Sequence, residues 1–286
     1  MKTFGYLIIV SENKSANYHQ LVHALALSIK KTQPLGYDNV AIATDSKEWI
    51  PVLYSIWAFD KVIFWNKETH WDGRSYMDEI TPWDQTVCLD ADMIFLSDYS
   101  HWIDKIQNFG PLHIATKALT FRGNLVTSNA YRKIQELNNI PNVYSAYTYF
   151  DKHDDTVKEF FKLVKFITKY PVEFRNVILD IDNGAVLGTD EIFGLAIKLL
   201  GLTDVATTNL PFPRLVHMKS NVQDCYNLSD IWTNELSFCF DRDASLKIGN
   251  YEQTDIVHYV QKSLMGIDEI NTYKRIIRKR IKDGKL

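Results

Sequence analysis

Cysteine is scarce in this chain: Cys88, Cys225 and Cys239 are the only three among 286 residues, far apart and without metal-ligand spacing. An odd, scattered set excludes a disulfide framework and a thiolate zinc site, and suits a reducing compartment. Glycine (12) and proline (8) are few and nowhere gathered into a linker, so one large domain, with at most an appendage, is expected. Repeats and low-complexity tracts are absent. Long apolar runs are absent too. The N-terminal run 4–10 spans seven residues, follows a single early Lys2 and precedes no small-residue cleavage site. It is expected to be a first strand, not a signal peptide. No stretch approaches the roughly 18 apolar residues of a transmembrane helix, and a cytoplasmic protein is expected.

What is present is ample core material. The chain is 46% hydrophobic and 23% charged, with aromatics at 13%, the balance of a globular protein. The formal charge of −3 conceals an asymmetry. From Lys274 onward there are seven Lys/Arg and one acid, leaving 25 basic and 34 acidic residues in the rest. Tyr273, Ile276, Ile277 and Ile281 fall on one helical face, so residues 263–286 are expected to form a basic, amphipathic tail helix. Such a tail is either a solvated helix end or an electrostatic handle for nucleic acid or an anionic membrane surface.

Periodicity divides the chain into two styles. In the first half, strands are expected at 4–10, 40–44, 61–65 and 86–89. Helices are expected at 17–31, where Leu21, Leu25 and Ile29 recur at spacing four, and at 52–58, with a short helix after Trp71-Asp72-Gly73-Arg74. This β-α-β-α-β order predicts an α/β fold with a doubly wound, mostly parallel sheet, whose ligands sit beyond the carboxyl ends of the strands. Asp45 and Asp90 would both lie there. The second half is mixed α+β. Strands are expected at 112–115 and 144–150, helices at 155–170 and at 189–200 (capped by Thr189 and closed by Gly201), and extended segments at 237–240, 245–248 and 255–260. Residues 1–262 would form a single domain, with 1–110 a nucleotide-binding half and 111–262 an acceptor half.

The stretch 87–96, Val-Cys-Leu-Asp-Ala-Asp-Met-Ile-Phe-Leu, is the strongest candidate for chemistry. Two carboxylates at the end of a buried run cost free energy unless something positive sits on them. A divalent cation carrying a phosphate ester would serve, because Mg²⁺ and Mn²⁺ bridge carboxylates to phosphates. Positions i and i+2 of an extended chain lie on one face, so Asp90 and Asp92 can be presented together to one ion. Asp-x-Asp also occurs at Asp180/Asp182, which leads into the turn chemistry of Asn183-Gly184, and at Asp241/Asp243, where Arg242 and flanking strands favour a solvated turn. Only Asp90/Asp92 has apolar runs on both sides.

The segment from Pro82 to Met93 resembles the "PFDxTLFLDADT" stretch of metal-dependent GT-A fold glycosyltransferases, in particular the glycogenin and lipooligosaccharide galactosyltransferase group and phage-encoded members. Other elements match in order: a first strand ending in Ser11-Glu12-Asn13, the helix sequence LALSIKKTQP (25–34), Asp45 closing AIATD, and Asp190-Glu191 at a helix start. The resemblance implies a nucleoside-diphosphate sugar donor, UDP-linked in that group, a Mn²⁺ or Mg²⁺ cofactor, and transfer to a hydroxyl. It places Asp90 on ribose and metal, and Asp92 on the metal. A histidine would complete the ligands, followed by a diphosphate-binding lysine. His258 with Lys262 is the preferred pair, although the group's Gly and Pro-Trp are missing there; His217 with Lys219 is the alternative. Asp190 and Glu191 become candidate catalytic residues toward the sugar, although acids at a helix start are also favoured by the helix dipole alone. Ser11, Asn13 and Asp45 are candidates for base and ribose, Arg74 for the diphosphate, and Trp71, Tyr144, Tyr147 and Tyr149 for stacking.

Three readings follow. The leading one is a glycosyltransferase whose acceptor is a glycan, a lipid-linked hydroxyl at a membrane surface, or a hydroxymethylated base in phage DNA with the basic tail on phosphates. A nucleotidyltransferase is the second; it normally has a Gly-rich basic loop after the first strand, where this chain has Ser11-Glu12-Asn13-Lys14-Ser15. A non-catalytic nucleotide-sugar-binding relative is the third.

Overall fold

Runs rich in Val, Ile and Leu, without polar alternation, form strands covered on both faces, and three such runs, at 4–10, 40–44 and 85–89, build the centre of this protein. A computed structural model describes residues 2–11, 18–65, 72–126, 133–178, 187–208, 212–218, 236–259 and 262–283. The first half contains β1 (Phe4–Val10), α1 (Tyr18–Thr32), β2 (Val40–Thr44), α2 (Trp49–Tyr54), β3 (Lys61–Phe64), α3 (Asp72–Ser75), α4 (Met77–Ile80), β4 (Gln85–Leu89), β5 (Met93–Ile94) and α5 (Ser100–Phe109). The second half continues with β6 (Leu112–Ala115), α6 (Lys133–Leu137), β7 (Tyr144–Asp151), α7 (Asp155–Lys169), α8 (Pro171–Ile178), α9 (Thr189–Leu199) and α10 (Thr203–Ala206). It closes with β8 (Leu215–His217), β9 (Phe238–Phe240), β10 (Leu246–Ile248), β11 (Tyr251–Gln253), β12 (Ile256–His258) and α11 (Ile267–Lys282).

The main sheet has the order β3-β2-β1-β4-β7-β6. Strands β3, β2, β1 and β4 are parallel, and β7 runs antiparallel to both β4 and β6. The chain first winds outward from β1 to β3, then returns to place β4 on the other side of β1. Between β1 and β4 the strand order reverses, and such a switch point leaves a crevice at the carboxyl edge. Period-two alternation then sorts the two cores: Tyr6, Ile8 and Val10 face α1 and α11, while Leu7, Ala41, Ala43 and Cys88 face α7 and α9. Burial pushes the Cys88 thiol up to about 11, so it packs as a small apolar group rather than reacting.

Several expected elements shift. The helix placed at 52–58 is α2, starting at Trp49, because Pro51 is tolerated in a first helical turn, where its missing N–H has no partner to lose. The N-cap of α9 is Gly188 rather than Thr189, since the Glu191 carboxylate accepts from the Gly188 N–H at 2.7 Å. Elements β5, α5, α6, α8, α10, β8 and β11 are not among those expected from the sequence. Strand β11 completes a small antiparallel sheet, β11-β10-β9, through the tight Gly249-Asn250 turn, where Gly249 has φ +57°. Asp241 accepts from Asp243 N–H, Ser245 N–H and Ser245 Oγ, which is turn chemistry as expected.

The basic tail is the helix α11. Ile270, Tyr273 and Ile277 are buried against α1, whereas Ile281 remains 54% exposed. Arg280 donates to the Lys31 carbonyl and Arg275 to the Arg242 carbonyl. No described helix is long and apolar enough to cross a membrane.

Candidate functional site

β4 ends at Leu89 and the chain turns through Ala91-Asp92 before β5 begins at Met93. Asp90 and Asp92 converge across that turn. Asp90 stays tied to the sheet through its N–H, which donates to the Ala146 carbonyl of β7 at 3.2 Å. Asp92 is tied to the other side, its carbonyl accepting from Tyr259 N–H at 3.1 Å. A third small sheet, β5-β12-β8, supplies the next component. Its register sets His258 opposite Met93 in antiparallel pairing and opposite His217 in parallel pairing.

His258 Nε2 therefore lies 3.2 Å from Asp92 Oδ1 and 3.7 Å from Asp90 Oδ2. Asp90, Asp92 and His258 each offer one ligand atom, all within 4.8 Å of one another, the one such group of three among the described residues. Two hard carboxylate oxygens with an imidazole and no thiolate fit Mn²⁺ or Mg²⁺. His217, the alternative, lies beside His258 but outside this group.

Two cations flank the acids. Lys262, in a 3₁₀ turn just after β12, ion-pairs with Asp92 and sits 5.5 Å over the Tyr18 ring. Arg74, on α3, ion-pairs with Asp90 and donates to Ser145 Oγ at 3.0 Å. Burial alone would raise the Asp92 carboxyl; the imidazole of His258 and the ammonium of Lys262 outweigh it and hold Asp92 well below the ordinary carboxylate range.

These groups open onto a cleft of about 360 Å³, whose lining includes Arg74, Asp90, Tyr144, Ser145, Asp190 and His258. Asp190 is the second residue of α9. Its Oδ1 accepts from Ser145 N–H at 2.8 Å and from Ser145 Oγ at 2.6 Å. Helix α9 can come this close because of Gly194: a Cβ there would lie 2.5 Å from the Pro141 carbonyl. Glu191 also borders the cleft, with one carboxylate oxygen bonded to Gly188 N–H.

The remaining candidates are dispersed. Ser11 and Asp45 follow β1 and β2 on the carboxyl edge that carries Asp90, but neither lines the cleft. Asn13, Trp71, Asp180, Asp182 and Lys219 lie outside the described residues. Tyr147 and Tyr149 are core residues, and only Tyr144 of the three tyrosines reaches the cleft. Sequence reasoning missed Ser145, which joins Arg74 to Asp190. Its one signal is a small polar residue at the head of an otherwise aromatic strand, where another group must approach closely.

No protein-family model matches the sequence, and no curated protein matches it. Solved structures do match in fold. Apo mouse xyloside xylosyltransferase 1 superposes with a TM-score of 0.53 at 11% identity, covering 89% of this chain and 97% of that one. The glycosyltransferase GlyE of Streptococcus pneumoniae TIGR4 gives 0.56 at 8% identity, over 100% of this chain and 64% of that one. The apo bifunctional glycosyltransferase WbbM gives 0.52 at 12% identity, over 96% of this chain and 50% of that one. The chain thus spans a little under two thirds of GlyE and half of WbbM. At these identities the likeness establishes the fold, which is the GT-A fold of glycosyltransferases.

Proposed function

We propose that the protein is a metal-dependent glycosyltransferase that moves a sugar from a nucleoside-diphosphate donor, UDP-linked, to a hydroxyl acceptor. The observation that carries this reading is the convergence of Asp90, Asp92 and His258 at the switch point of a GT-A sheet, with Lys262 and Arg74 on the same carboxylates. Asp90, Asp92 and His258 would hold Mn²⁺ or Mg²⁺. When bound, such an ion neutralises diphosphate charge. Asp45 stands two strand spacings from Asp90, roughly 10 Å, which is about the reach of a nucleoside laid along the edge. Ser11 lies between them, and the base and ribose are assigned to that stretch.

As the sugar leaves, negative charge grows on the diphosphate. Lys262 and Arg74 can turn from the carboxylates to meet that charge, since both already border the site. Asp190 is assigned to the transferring sugar in preference to Glu191, because Ser145 fixes its carboxylate at the cleft while Glu191 closes the helix end. The favoured acceptor is a sugar hydroxyl: one fold neighbour is a xyloside xylosyltransferase. A DNA acceptor is less favoured, because Arg275 and Arg280 of the basic helix bond to carbonyls of the body.

Incubating the purified protein with Mn²⁺ and a panel of nucleotide sugars tests this. One donor is expected to be hydrolysed slowly, and Asp92→Asn to lose that turnover. Donor binding without turnover would favour a non-catalytic relative. Binding of none would overturn the proposal.

A further inference from the structure

The cleft holds a second histidine that the reaction outlined above leaves without a task. His217 is 2% exposed and ends β8. Its parallel pairing with His258 projects both side chains to the same face of the small sheet. The two imidazoles meet with centroids 4.7 Å apart and planes tilted by 32°. Tyr144 packs edge-on against His217, at 5.4 Å and 62°.

His258 needs such a neighbour. A ligating histidine normally donates its other ring N–H to a carboxylate, carbonyl or water, which fixes the ring plane. His258 Nε2 faces the two aspartates, while its Nδ1 is buried with no hydrogen-bond partner among the described residues. Among the described residues, therefore, no hydrogen bond at Nδ1 restrains the ring. We propose that His217 is a positioning residue, holding the His258 imidazole by stacking so that Nε2 points at the ion shared with Asp90 and Asp92. Tyr144 backs the stack. This inference rests on the metal-site reading given above. It assigns to His217 the flat face of its ring, which another flat ring can supply.

Mn²⁺ binding in the presence of UDP, followed by electron paramagnetic resonance, tests the idea. The proteins are wild type, His217→Phe, His217→Ala and His217→Leu; the last keeps the volume, and so the fold, without a flat ring. The Ala and Leu variants are expected to bind Mn²⁺ about 10-fold more weakly or worse, the usual cost of losing a group that orients a ligand. His217→Phe is expected to stay close to wild type. Wild-type affinity in the Leu variant would overturn the inference. So would a Phe variant as weak as Leu, which would make the imidazole itself the functional group. Absence of Mn²⁺ binding in the wild type would instead overturn the metal-site reading.

Discussion

Asp92 shows how one buried acid organises its surroundings. At 6% exposure its charge is tolerable only beside His258 and Lys262, and removing one partner of a buried pair costs more than the pair contributes. Lys262 then has two roles, balancing Asp92 and meeting diphosphate charge. Lys262→Met is expected to lower turnover by about 10²–10³-fold, the effect of deleting one preorganised group on developing charge, while Mn²⁺ binding persists. Steady-state rates alongside metal titration check this. Tyr273 is a contrasting case: fully buried, with a hydroxyl that has no hydrogen-bond partner among the described residues. Tyr273→Phe is expected to be neutral or stabilising by about 1 kcal/mol, and Tyr273→Ala to cost about 3–5 kcal/mol, read by urea denaturation.

Between elements, the site depends on three contacts of different legibility. Strands β1 and β2 fall where the apolar runs 4–10 and 40–44 place them, because strands covered on both faces leave an unbroken apolar signature. His258 with Lys262 is the pair preferred over His217 in the sequence, but the register that sets His258 beside the aspartates depends on β12 pairing with β5 across more than 160 residues, which that local pattern does not encode. Ser145 was hidden for the same reason: its partners Arg74 and Asp190 come from helices on either side of it in sequence. Phe166 of α7 is 53% exposed and packs on Tyr170 and Phe174 instead of the core. The approach of α9 to the segment before β7 is testable. Gly194→Ala sets a methyl against the Pro141 carbonyl, and overpacking of this kind costs about 1–3 kcal/mol. The expected outcome is a lowered melting temperature together with a raised KM for donor, as Asp190 moves off Ser145.

For the whole molecule, α11 completes the core begun by α1, and two buried histidines store an acid sensitivity. Burial lowers His23, on α1, to about 4, with a further contribution from Lys274 of α11. Burial also lowers His113, on β6, to about 4, partly offset by its 2.7 Å hydrogen bond to the Phe212 carbonyl. Their unfolded values are near 6.5. Between those limits the unfolded chain binds more protons, so stability is fully present above about 6.5 and is lost as pH falls toward 4. The urea midpoint is expected to be lower at pH 4.5 than at pH 7, and His113→Gln, whose amide can replace the Nε2–H donor, is expected to flatten that slope. The central claim concerns the acids at the switch point, and one titration addresses it most directly: Mn²⁺ binding with and without a nucleoside diphosphate, in wild type and Asp92→Asn, with circular dichroism to confirm the fold. Diphosphate-dependent Mn²⁺ binding in the wild type that disappears in a folded Asp92→Asn is the expected result; binding that is absent, or unchanged by the substitution, would contradict it.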